Sequence, residues 1–285
     1  MKTIVAQLGG GIGNQMFQYT FARTLAKLNN ADLKIEAITY FKDYGAAFPS
    51  SLIWENFNIF VERIGPKYLK KFNNSSFWQK IGLEPKWHIL EELNFDKFQK
   101  DAIRIYDQNI FIKAGFWQNE RYFNSISDII RNDFSFINTY LDKYQEDIIK
   151  KNSVAIHVRR GDYLSAEYAG RYIDLTSTNY YDNALSYIKA NVENPFFFIF
   201  SDDLDWCKQK FSSAGNVVYI ENTEGAAHEL FLMSLCKNQI IANSTYGWWG
   251  AWLNKNENKI VVCPTKWFAN NWEDGHYTLD GWINF

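Results

Sequence analysis

Residues 154–164 read VAIHVRRGDYL. The first five fit a short buried strand, and two arginines, a glycine and an aspartate follow it immediately. The same grammar continues downstream. The runs PFFFIFS (195–201), NVVYI (216–220), QIIAN (239–243) and KIVVCP (259–264) read as further short buried strands. Between them lie helical patterns: NYYDNALSYIKAN (179–191), DLDWCKQKF (203–211), AAHELFLMSLCKN (226–238) and GWWGAWLNKN (247–256). Apolar strands alternating with helices predict a parallel sheet covered on both faces. Ligands of such sheets bind at the carboxyl ends of the strands, which is where Arg159 and Arg160 stand.

The first half opens in the same style. TIVAQL (3–8) is a strand stopped by GGGIG (9–13), and NQMFQYTFARTLAKLNN (14–30) places Phe17, Phe21, Leu25 and Leu28 on one helical face. Asn14 stands where an N-cap would stand, and ADLKIEA (31–37) reads as the next strand. From about residue 40 to 150 the pattern blurs into aromatic-rich pieces such as FPSSLIWENFNIF (48–60) and NSSFWQKIGLEPKW (74–87), and mixed helices and loops are expected there. The expectation is an α/β chain of two Rossmann-like lobes, 1–150 and 151–285, joined around residues 140–153. A ligand then sits at the strand ends or in the cleft between the lobes.

Bulk properties narrow the function. The 285 residues are 47% hydrophobic and 22% charged, as in an ordinary soluble globular protein. A formal net charge of -2 argues against a dedicated nucleic-acid partner. Aromatics are abundant (11 Trp, 17 Tyr, 23 Phe) and serve either as core or as stacking floors for sugars and bases. Cys207, Cys236 and Cys263 show no zinc spacing and read as buried free thiols, which points to a reducing compartment. The start, MKTIVAQLGGGIGNQ, looks like neither a signal peptide nor a membrane span, so a cytoplasmic protein is expected.

Several groups of residues carry candidate chemistry. Arginine presents a planar fork of donors that matches phosphate oxygens; the plainer alternative is that Asp162 pairs with an arginine to pin a surface turn. The loop LGGGIGNQ (8–15) lacks the G-x-G-x-x-G dinucleotide spacing, but its backbone N–H groups at a helix start can meet an anion. Asn243, Ser244 and Thr245 join a strand to a helix and suit either a phosphate or simple capping. Asp203 and Asp205 form a D-x-D that reads as a helix start more readily than as a metal site. Glu273, Asp274 and His276 lie close in sequence but in a pattern too generic for a metal.

Taken together, HVRRGDY (157–163), GGIGNQMFQY (10–19), LFLMSLCKNQIIANSTYGWWGAWLN (230–254) and VVCPTKWF (261–268) resemble the α1,2-fucosyltransferases of glycosyltransferase family 11. The resemblance runs from residue 9 to about residue 268 and is thin between 40 and 150. Two departures stand out: Glu229 where the family usually has Asp, and Gly247 where it usually has Ser. The first bears on base contacts; the second implies only a change in local loop packing.

The resemblance implies a GT-B-like fold with the donor site in the cleft and on the C-terminal lobe. It also implies a GDP-β-L-fucose donor, a terminal β-galactoside acceptor, and inversion without metal or cofactor. Arg159 becomes the main diphosphate clamp, Arg160 a second contact and Asp162 an orienting partner. His157 holds the nucleotide or sugar, and Asn14 faces the donor from the first lobe. Glu229 accepts from guanine, and Asn243, Ser244 and Thr245 complete the phosphate cradle. With Arg159, His157 and Asn14 as the catalytic set, the general base stays unassigned between His157 and an acid of the first lobe. Cytoplasmic assembly of lipid-linked surface glycan or lipopolysaccharide is implied, with peripheral contact at the inner membrane face. A transferase of another GDP-sugar and a non-catalytic carbohydrate-binding protein are the alternatives.

Overall fold

The structure is a computed structural model and describes residues 1–37, 52–65, 87–93, 97–137, 143–165, 170–269 and 277–285. The cluster Glu273, Asp274 and His276 and most of the piece 74–87 therefore lie outside the described residues. The chain forms two compact units, Met1–Ile137 and Asn138–Phe285.

The first unit is built on a parallel sheet of order β3-β2-β1-β5-β4. Its strands are β1 (Thr3–Gln7), β2 (Asp32–Glu36), β3 (Glu62–Arg63), β4 (Trp87–Leu90) and β5 (Asn109–Ile112). Helix α1 (Ile12–Asn29) links β1 to β2. It is buried nearly all round: Gln15, Gln18, Thr20 and Thr24 are covered along with Phe17, Phe21 and Leu25, while Leu28 is exposed in the last turn. The single apolar face expected from the sequence is thus too narrow. The polar residues are accommodated because their side chains bond to backbone, as Thr24 does to the Thr20 carbonyl at 2.9 Å. Asn14 is also not the cap. Gly11 holds that position, and Asn14 lies inside the first turn with its side chain released for other work. The region expected to be helices and loops contributes three strands, β3 to β5, and the short helices α2 (Ile53–Asn56) and α3 (Ser127–Asp133). These strands span only two to four residues, too short to show a period.

The second unit matches its sequence pattern closely. Its sheet is parallel in every pair, with order β11-β10-β9-β6-β7-β8. The strands are β6 (Ser153–Val158), β7 (Phe196–Ser201), β8 (Asn216–Tyr219), β9 (Asn238–Ile240), β10 (Val261–Cys263) and β11 (Ile283–Asn284). The connecting helices are α4 (Gln145–Lys150), α5 (Tyr180–Asn191), α6 (Leu204–Lys210), α7 (Ala226–Leu235) and α8 (Thr245–Leu253). Helix α4 belongs here because Ile148 is buried with Ala155, Phe198 and Leu232.

Alternation along β6 divides the core. Val154, Ile156 and Val158 pack with Tyr181 and Ile188 of α5, while Ala155 faces Leu232 and Met233 of α7. By parity His157 shares the α7 side. Trp248, Trp249 and Trp252 of α8 are buried and build core rather than a sugar platform. Gly250 lets α8 lie against α7, since a Cβ there would collide with the Met233 side chain. All three cysteines are free and buried, as the sequence predicts. Among the described residues no helix is long and apolar enough to cross a membrane.

Candidate functional site

In the second sheet the chain runs outward from β6 through β7 to β8, then returns to β9 on the other side of β6. The loops after β6 and β9 therefore diverge and open a crevice at the carboxyl ends, the usual ligand position in such sheets. Into it β6 delivers Arg159 and Arg160. The Arg159 guanidinium is held by two carboxylates, Nη2 to Asp162 at 2.8 Å and Nη1 to Asp202 at 3.2 Å. Arg160 pairs through Nη1 with Asp203 at 2.5 Å. The turn joining them is fixed as well, because the Arg160 backbone N–H donates to Asp202 at 2.9 Å. Gly161 makes this approach close, since a Cβ there would lie 3.0 Å from the Asp202 carboxylate, which would have to shift by a few tenths of an ångström.

Asp202 is the functional candidate that sequence reasoning missed. It sits one residue past β7, the neighbour of β6, and braces both arginines. The segment SDDLDW draws attention to Asp203 and Asp205 as a D-x-D, yet the strand-end position marks Asp202 just as plainly. Asp203 caps α6 by accepting the Trp206 N–H at 3.0 Å. This bond and the Arg160 partner hold its carboxyl below the usual carboxylate range. The helix-start reading of Asp203 is therefore what the structure shows. Among the described residues no group of three His, Cys, Asp or Glu side chains is placed to hold a metal.

The loop after β9 forms the opposite wall. The Tyr163 hydroxyl donates to the Asn243 carbonyl at 3.0 Å and ties the two loops together. The Asn243 side chain is turned inward: Nδ2 donates to the carbonyls of Ile173 (2.9 Å) and Trp267 (2.8 Å). Ser244 caps α8 through the Tyr246 N–H, and Thr245 opens the helix. Glu229, in the first turn of α7, is partly buried and accepts from Thr223 Oγ1 at 2.9 Å. Burial pushes its carboxyl upward, opposed by that bond and helped by the nearby Asp202 charge.

His157 is buried at 4% exposure, and its Nδ1 has no hydrogen-bond partner. Burial, reinforced by the Arg159 charge, lowers its pKa to about 3, so the ring is neutral at physiological pH. Gly247 presses on it from α8. This position is therefore helical and touches a candidate site residue, which makes it more than the local loop packing expected from the sequence.

The first unit has its own switch point, between β1 and β5. The glycine loop after β1 and the segment 113–119 after β5 meet there. Asn14 accepts a hydrogen bond from Gln118 Nε2 at 2.9 Å, and Gln18 bridges the loops by accepting from the Gly9 N–H (2.8 Å) and donating to the Gly115 carbonyl (2.6 Å). The candidates thus gather in two places. Asn14 lies in the first unit; His157, Arg159, Arg160, Asp162, Asn243, Ser244 and Thr245 stand at the ends of β6 and β9 in the second, and Glu229 stands at the start of α7, after β8.

The glycosyl transferase family 11 profile matches residues 2–285. The chain belongs to this family. An Escherichia coli alpha-1,2-colitosyltransferase is 36% identical over 94% of this chain and 93% of its own length. A galactoside alpha-(1,2)-fucosyltransferase 1 from Leontocebus fuscicollis is 24% identical over 86% of this chain and 63% of its own. In fold, the family 11 chain resembles the alpha-1,6-fucosyltransferase NodZ in a structure soaked with GDP-fucose. The TM-score is 0.52 at 12% identity, covering 88% of this chain and 92% of that one. The α/β, GT-B-like architecture expected from the sequence is the one found.

Proposed function

We propose that this family 11 enzyme transfers L-fucose from GDP-β-L-fucose to the 2-hydroxyl of a terminal β-galactoside. The transfer inverts the anomeric centre to give an α1,2 linkage. The observation that carries the reading is the braced pair Arg159 and Arg160 at the end of β6, inside the β6/β9 crevice. The acceptor O2 forms a bond to C1 as the bond from C1 to the diphosphate oxygen breaks. The acceptor proton passes to a base, and negative charge accumulates on the departing GDP. Fixed donors at that position lower the barrier because they are already oriented when the charge appears.

Net charge is not the attraction. Arg159 and Arg160 contribute +2 and Asp162, Asp202 and Asp203 contribute -3, so these five side chains sum to -1. Anion binding must come from directed donors: the N–H groups of the guanidinium fork and the positive end of the α8 dipole. In this reading Arg159 clamps the diphosphate, Arg160 supports it and Asp162 orients Arg159. Ser244 and Thr245 line the cradle, while Asn243, turned inward, shapes its loop. Neutral His157 contacts nucleotide or sugar as a hydrogen-bonding group. Glu229 accepts from guanine, and Asn14 contacts the donor from the first unit. No metal or cofactor takes part.

A second donor is favoured by the colitosyltransferase relative. Colitose is fucose without the 3-hydroxyl, so the two donors differ by one polar group. The deciding experiment supplies GDP-fucose and GDP-colitose separately to a panel of galactosides, with and without excess EDTA, and follows it with linkage analysis. An α1,2-fucosyl product formed equally in EDTA is the expected result. Preference for GDP-colitose selects the second reading, and turnover restored only by magnesium or manganese ends the metal-free one. The acceptor is proposed to be a lipid-linked surface glycan, met at the inner membrane face.

A further inference from the structure

The mechanism leaves one half-hidden acid of the first unit unused. Glu92 lies two residues past β4, and both of its carboxylate oxygens are engaged by backbone. They accept the N–H groups of Phe116 at 2.5 Å and Trp117 at 2.9 Å. This grip bends the segment sharply. Trp117 has φ 50, in the left-handed region that non-glycine residues seldom occupy. Gly115 must lack a side chain, since a Cβ there would lie 2.9 Å from both Glu92 Oε2 and Trp117 Nε1. The Trp117 ring is fully buried and stacks on Phe21 of α1 with centroids 3.9 Å apart.

The consequence falls on the next residue. Gln118 donates its amide to Asn14 Oδ1 at 2.9 Å, and the Asn14 amide nitrogen lies on the Gly10 side. A chain of contacts thus runs from the Glu92 carboxylate through the Phe116–Trp117 turn and Gln118 to Asn14. We propose that Glu92 is a positioning residue: its ionised carboxylate holds the 115–118 turn in the one conformation in which Gln118 orients Asn14. This rests on the reading that Asn14 contacts the donor.

The carboxylate works against its setting. Burial raises its pKa to about 7, although the two backbone donors pull it down. Protonation converts one accepting oxygen into an O–H facing an N–H, and the clamp loosens. Other ionisable groups stand near it. Tyr122 feels the Glu92 charge, but burial pushes its phenol up to about 12. Glu91 pairs with Lys113 beside the site. His88 on β4 is shifted down by burial and Arg104.

The test is Glu92→Gln, alone and combined with Asn14→Ala, with transfer kinetics from pH 5.5 to 8.5. Wild-type kcat should fall along a one-proton limb below about pH 7. Glu92→Gln should lower kcat on the order of tenfold at pH 8, lack that limb and bind GDP within twofold of wild type. In an Asn14→Ala background it should cost nothing further. In parallel, the amide resonances of Phe116 and Trp117 should titrate near pH 7 in wild type and not in Glu92→Gln, a readout independent of turnover. Additive losses from the two substitutions, equal loss of GDP affinity, or an unchanged acid limb would overturn the proposal. Wild-type turnover in Asn14→Ala alone would instead remove the donor role of Asn14.

Discussion

A Cβ on Gly247 would lie 2.6 Å from His157 Nδ1. Helix α8 and strand β6 therefore meet at a point where only glycine fits. Gly247→Ala would ordinarily stabilise a helix by about 1 kcal/mol. Here it forces an imidazole ring out of its place, and overpacking of this kind costs about 1–3 kcal/mol. The strand side cannot yield easily, because the His157 carbonyl accepts from the buried Tyr181 hydroxyl at 3.1 Å. The expected outcome is a lower melting temperature together with reduced turnover. A variant that melts and turns over like wild type would show that the ring has room to move.

His157 also makes a prediction about acid. Its folded pKa of about 3 lies below the unfolded value near 6.5, so the folded state refuses a proton that the unfolded chain takes up. Stability from this group is fully present above pH 6.5 and is lost as pH falls toward 3, at about 1.4 kcal/mol per pH unit. Urea unfolding of wild type and His157→Gln at pH 7 and pH 5 isolates it. Wild type should lose on the order of 2 kcal/mol more than the variant over that interval. Equal losses would place the His157 ring in contact with water.

Glu229 is the proposed reader of guanine. Substitution by Gln replaces an acceptor by a donor facing the base N–H groups, whereas Asp keeps the acceptor on a shorter stem. GDP affinity, measured by calorimetry, should fall for Glu229→Gln on the order of tenfold, with Glu229→Asp affected less. The Thr223 hydroxyl can adapt to either residue, so melting should change little. Equal GDP affinity in wild type and Gln would take Glu229 out of the site.

The second unit was legible because its strands are continuous apolar runs punctuated by helices, and a central parallel strand such as β6 must be apolar on both faces. The arginine pair was legible for a related reason, since polar residues immediately after such a run lie at the ligand end of the sheet. The first unit hid its strands β3 to β5 because each is only two to four residues long and no amphipathic helix announces it. Asp202 and Glu92 were hidden differently. Each acts on residues over twenty positions away in the chain, on Arg159 and Arg160 from β7 and on Phe116 and Trp117 from β4. A strand-end position can mark such a residue as a candidate, but only strand pairing shows which partners it meets, and no local spacing encodes that.

The decisive substitution is Arg159→Lys. The guanidinium meets Asp162 and Asp202 through different nitrogens, and this two-point hold fixes its plane at the end of β6. An ammonium keeps the charge but has no planar fork, so it cannot satisfy both carboxylates and still face a diphosphate. Loss of one oriented donor at a site of developing charge typically costs 10²- to 10³-fold in turnover, and Arg159→Lys should fall in about that range. Arg159→Ala should lose more, since it also removes the cation shared by Asp162 and Asp202 and leaves both negative charges beside the incoming anion. Arg160→Lys should be milder, because its one ion pair, to Asp203, and its place over the Trp206 ring are open to an ammonium, and the cap on α6 survives the change. Transfer kinetics on the three variants, with melting curves to confirm folding, make the comparison. A folded Arg159→Ala enzyme with near wild-type turnover would mean that the Arg159–Asp162 pair merely pins a turn, and that the leaving diphosphate is stabilised elsewhere.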